Sequence, residues 1–161
     1  MKRDANLLFS VFAIDALYLV SFFLPVRPLG KDFPEGDNEF GWDVFVQVIQ
    51  AILNFDDRSW TAFELFLPNL LLWMGIICLW GRVPVVSFVT GISATAIAAK
   101  SLHWWQLFPY PRPPENLPSF LNANLGAYLW LVSMLSLAVA GFIFTIKQWR
   151  QTRRLRMIGD R

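Results

Sequence analysis

The chain has 161 residues, 55% of them apolar and 16% charged, with a net charge of +2 and a mean hydropathy of +0.43. An apolar share above the roughly 45–50% of globular domains excludes an ordinary soluble domain. So few charges also exclude a disordered chain or one that wraps nucleic acid, because solvation and phosphate neutralisation both need them. Lipid is the expected solvent.

A bilayer core of about 30 Å takes about 20 helical residues. Laid along the sequence, that ruler predicts a single all-α integral membrane domain: a four-transmembrane-helix bundle with an in-plane amphipathic helix in its first outer loop. The first span covers about 5–24 and is stopped by Pro25 and Pro28. Lys2 and Arg3 ahead of it imitate a signal peptide, but the run is long and offers no small-residue cleavage pattern, so it reads as an uncleaved anchor.

The outer loop, 25–59, is acidic through Asp32, Glu35, Asp37, Glu39, Asp43, Asp56 and Asp57. The acids lack calcium-loop spacing, and Gly30, Gly36 and Gly41 read as turn glycines rather than a phosphate cradle. Within this loop, over about 42–55, Asp43, Gln47, Gln50 and Asn54 recur at steps of four, three and four, opposite Trp42, Phe45, Val46, Ile49, Ile52 and Leu53. A segment too short to span, with one polar face, predicts a helix lying in the membrane interface.

The second span covers about 60–80 and the third about 83–102, with Pro84 in the first turn of the third, where its missing N–H has no helical partner to lose. So short a connection makes the two an antiparallel hairpin. The Pro-rich outer loop 103–119, with Pro109, Pro111, Pro113, Pro114 and Pro118, keeps the third span from fusing with the fourth, about 120–149. A basic tail, 150–161, extends that last helix, and topology with anionic-lipid contact is its expected role.

Lys2, Arg3, Arg82, Lys147, Arg150, Arg153, Arg154, Arg156 and Arg161 fall on one side of this layout, against Arg27, Lys31, Arg58, Lys100 and Arg112 on the other. Positive charge is retained inside, so both termini are expected in the cytoplasm, with a plasma membrane, the inner membrane of a bacterium, as the location. Trp60, Trp104 and Trp105 would form an outer aromatic belt, and Trp80 and Trp149 an inner one. Cys78 is the single cysteine and His103 the single histidine. The chain therefore cannot be a quinone-coupled disulfide oxidase, which shares the four-helix layout but relays electrons through thiol pairs. The four-helix layout with a long first outer loop superficially resembles claudins and tetraspanins, but the cysteines those folds rely on are missing.

Polar residues inside the spans are the candidate sites. A carboxylate at mid-membrane costs about 2.5–3.5 kcal/mol on insertion scales, so Asp15 needs neutralising, pairing or turning inward. It reads either as part of a proton or cation relay or as a neutral acid bonded to a neighbour such as Ser93 or Thr95. Glu64 and Lys100 fall at similar depth on adjacent helices and are expected to pair. Phe66-Leu67-Pro68-Asn69-Leu70 and Phe120-Leu121-Asn122-Ala123-Asn124-Leu125 resemble each other, which would make Asn69 and Asn124 equivalent positions. Pro68 frees the Glu64 carbonyl and favours a local kink. Asp15, Glu64, Asn69, Lys100 and Asn124 together form the candidate intramembrane polar site. Ser87, Gly91, Thr95 and Ala99, backed by Ala94 and Ala98, make a small-residue ridge for close helix approach.

No catalytic motif, cofactor or metal site is expected. The expected role is a non-catalytic accessory or assembly subunit of a larger membrane complex, with lipid and other membrane subunits, or further copies of itself, as partners and no nucleic acid. The alternative is a small oligomeric transporter or channel that uses Asp15.

Overall fold

The computed structural model describes residues 5–28, 38–54, 59–104 and 125–159. They form helices α1 (Ala5–Phe22), α2 (Gly41–Leu53), α3 (Ser59–Trp80), α4 (Pro84–Trp104) and α5 (Leu125–Gly159). Three are long and apolar enough to cross a membrane: α1, α3 over Ala62–Trp80, and α5 over Leu125–Leu155. The fourth, α4, is 21 residues long, and its apolar part is the shorter stretch Pro84–Lys100.

The turn between α3 and α4 is built by the backbone. Val83 N–H donates to Cys78 O (2.8 Å) and Arg82 N–H to Leu79 O (3.2 Å), the paired bonds of a Schellman ending. The residue at its left-handed position is Arg82, at φ 62°, where glycine is the usual occupant because it has no Cβ to clash.

Helix α4 lies between α3 and α5, while α1 runs along α5 and touches α3 at few positions. Small residues set the α4–α5 distance: a Cβ on Gly91 would sit 2.5 Å from the Ala138 nitrogen. Across the other interface, the Ser87 hydroxyl donates to Gly75 O on α3 at 2.8 Å. Leu72, Leu79, Met134 and Leu137 fill the interior with essentially no exposure.

The expected ridge is rotated. Ser87 and Gly91 are buried, but Thr95 is half-buried and Ala99 exposed, whereas Ala94 and Ala98 are fully buried. A repeat of four advances about 40° per step round a helix of 3.6 residues per turn, so the third step has left the contact.

Gly141 lies against Phe88 and Pro84, which marks where α5 passes the α3–α4 turn. From Lys147 to Leu155 every side chain is exposed, so α5 continues beyond the bundle as a lone helix. The basic tail is thus part of α5. Trp149, expected level with Trp80, stands eight residues past Gly141, about 12 Å further along the axis. The lone stretch carries its own contacts: the Arg153 guanidinium stacks 3.7 Å from the Trp149 ring and the Lys147 ammonium lies 5.1 Å from that of Phe144.

At the other end α1 gives way to a two-stranded antiparallel ribbon, β1 (Pro25–Pro28) with β2 (Asn38–Phe40), which proline patterning read only as a helix stop. With two strands, both are edges, and edges tolerate proline. Helix α2 follows at once: Phe40 N–H donates to the Asp43 carboxylate at 3.3 Å, satisfying a free donor at the helix start. Val44, Val48, Ala51 and Ile52 pack on Ala62, Leu65 and Phe66 of α3. Asp43, Gln50 and Asn54 are exposed on a second face, and Trp42 and Leu53 on a third, apolar one.

Candidate functional site

Asn69 is the polar centre of the bundle. It is 8% exposed, and its Oδ1 accepts from Tyr18 Oη of α1 at 3.1 Å and from Trp130 Nε1 of α5 at 2.8 Å. One side chain thus joins three helices. Its place follows from Pro68, which is fully buried inside α3. Proline removes one backbone bond and crowds the preceding turn, and Asn69 Nδ2 reaches back to Leu65 O at 3.5 Å in that loosened turn. Tyr18 is held in turn by edge-on rings, Phe22 at 5.0 Å and Trp73 at 6.5 Å between centroids.

Neither Tyr18 nor Trp130 was singled out by the sequence. The signal was available, since a tyrosine or tryptophan buried in lipid needs an acceptor for its O–H or N–H, but choosing the acceptor requires knowing which helices are neighbours. Asn124, the position equated with Asn69, lies outside the described residues.

Above this node, toward the α2 end, is a cavity of about 60 Å³ whose walls include Phe22, Val26, Val44, Phe45 and Leu65, with Asn69 and Trp130 as polar lining. Its roof depends on close backbone approach: a Cβ on Gly126 would lie 2.7 Å from Leu24 O and 3.0 Å from Ser21 O.

Glu64 and Lys100 are an ion pair, Nζ to Oε2 3.6 Å, with the lysine side chain 56% and the glutamate side chain 27% exposed. The pair does not join the Asn69 node. Glu64 and Asn69 are five residues apart, roughly 140° round the helix, so one faces α4 and the other α1 and α5.

Asp15 stands apart from both. It is half-buried, and among the described residues nothing bonds to it. Ser93 and Thr95 do not, because α4 lies across the bundle from α1; the Thr95 hydroxyl donates instead to Gly91 O in its own helix at 2.7 Å. Among the described residues, the members of the expected polar site therefore fall into three separate features: a satisfied node, a peripheral ion pair and a carboxylate that none of them bonds. Among the described residues no group of three or more His, Cys, Asp or Glu is gathered where a metal could be held. The chain matches no protein-family model, no curated protein and no solved structure.

Proposed function

We propose that the protein is a non-catalytic accessory or assembly subunit of a larger membrane complex, crossing a plasma membrane four times with both termini in the cytoplasm. The observation that carries this reading is how the internal polar groups are used. Asn69 binds two other helices and Ser87 binds a third pair, while α3, α4 and α5 close on one another through Gly91 and a leucine-rich interior. Such a bundle is built to hold a shape.

A fourth crossing by α4 is supported by its position: it is flanked by two helices fit to span and joined to one by a three-residue turn. An in-plane α2 is supported by its three faces, one on α3, one polar, and one apolar and exposed, as a helix at the lipid–water boundary requires.

Extraction of native membranes in mild detergent tests the reading. A subunit co-migrates with other proteins at fixed stoichiometry; migration as a monomer or as copies of itself alone overturns it. The second reading, an oligomeric transporter, is favoured by the position of Asp15 on the flank of α1, where a pathway would have to run between copies. Ion or solute flux into vesicles that is lost in Asp15→Asn would establish that reading instead.

A further inference from the structure

Asp15 occupies a position with a particular geometry. The core stripe of α1 is Val11, Ile14, Tyr18 and Ser21. Asp15 is one residue past Ile14, about 100° round, at the stripe's edge. Phe22, two turns further on the same flank, contacts Phe45 of α2 at 5.4 Å, which fixes that flank as the one turned toward α2 and α3. There α1 and α3 meet through Tyr18 and Asn69 and touch at few other places. Asp15 lies one turn before Tyr18, and Trp73, half-exposed, one turn after Asn69. The helices are antiparallel, so both border the same open seam below the node.

Leu8, Phe12, Asp15 and Leu19 follow one another at steps of four, three and four. The three apolar members are 37%, 73% and 57% exposed. That spacing is the seam along which one helix packs against another, and here the carboxylate is at its centre. The helices around it have no cation at its depth: Lys and Arg are absent from 5–24, 62–80, 84–99 and 125–146.

We propose that the Leu8–Phe12–Asp15–Leu19 face of α1, beside the α1–α3 seam, docks a transmembrane helix of a partner protein that carries a lysine or arginine at mid-depth. This rests on the subunit reading and adds the surface and the partner's chemistry. A basic side chain supplies the opposite charge that a carboxylate in low dielectric requires. A second copy meeting the first at this face about a twofold axis brings Asp15 toward Asp15, like charge on like. Acyl chains leave it unpaired.

The test uses the full chain in lipid vesicles, labelled on the lone stretch of α5 at Gln151→Cys in a Cys78→Ser background, with labelled polyleucine transmembrane peptides that differ at one central residue. Energy transfer should show the lysine peptide associating about ten-fold more tightly than the all-leucine peptide. The gain should vanish in Asp15→Leu and persist in Glu64→Gln, and an aspartate peptide should behave like the leucine one. Asp15→Leu should also melt at the same or a higher temperature than the parent in detergent. Equal affinity of the lysine and leucine peptides, a gain that survives Asp15→Leu, or a lower melting temperature of that variant overturns the proposal. In native membranes, a complex that survives Asp15→Leu intact overturns this docking face and leaves the subunit reading standing. Absence of any complex for the parent protein overturns the subunit reading, and the peptide measurement still decides the docking face.

Discussion

Asn69 accepts from two helices at once, so its removal takes the acceptor from two donors together. Asn69→Leu is expected to lower stability by about 1–3 kcal/mol, read as a fall in the melting temperature of the purified protein in detergent. Tyr18→Phe deletes donor and leaves the acceptor still served by Trp130, so its loss should be the smaller. The opposite sign is expected at Arg82, whose φ of 62° carries a backbone penalty of about 1–2 kcal/mol for a residue with a Cβ. Arg82→Gly should raise the melting temperature and, by removing a positive charge from the α3–α4 turn, weaken the bias that orients the hairpin.

At the scale of elements, the α4–α5 contact discriminates between two small residues that the sequence placed on one ridge. Gly91→Leu drives a side chain into the Ala138 backbone and should abolish the folded bundle, whereas Ala99→Leu, on the exposed side of α4, should leave the stability within about 0.5 kcal/mol of the parent. A melting curve on each variant separates them. The far part of α5 makes a second contrast. Its exposed residues from Lys147 onward rest on contacts within the helix, Arg153 on Trp149 and Lys147 on Phe144, so ending the chain after Gln151 should leave bundle stability unchanged while the helix signal in circular dichroism falls.

For the whole molecule, orientation is the quantity to measure. Gln50 is exposed on α2 and Gln151 on the lone stretch of α5, and these elements lie at opposite ends of the bundle. With Cys78 replaced by serine, Gln50→Cys should react with an impermeant maleimide from outside intact cells, and Gln151→Cys only after permeabilisation. The reverse pattern would invert the topology drawn from lysine and arginine placement. The α2 end of the bundle carries the β1–β2 ribbon and α2 beside the Asn69 node, and Gly126→Val there should enlarge the cavity by forcing α5 away from Leu24.

That the chain is helical with apolar segments fit to span could be read from the sequence because this is a local matter: an apolar run, stopped by Pro25 or by the Gly81–Val83 turn. The Glu64–Lys100 pair was legible for a related reason, since a three-residue turn forces α3 and α4 antiparallel and equal distances from that turn give equal depth. The remaining features depend on neighbours that the sequence does not name. Membrane helices are apolar all round, so periodicity says little about which face meets which helix. Only the tertiary structure therefore decided that α1 lies along α5 instead of α4, that Asn69 takes Tyr18 and Trp130 as donors, and that the α4 contact runs through Ala94 and Ala98. The sequence by itself determined that Asp15 sits in an apolar span with no cation at its depth. The packing of α1 decided that it is turned to the flank of the bundle instead of into the Asn69 node.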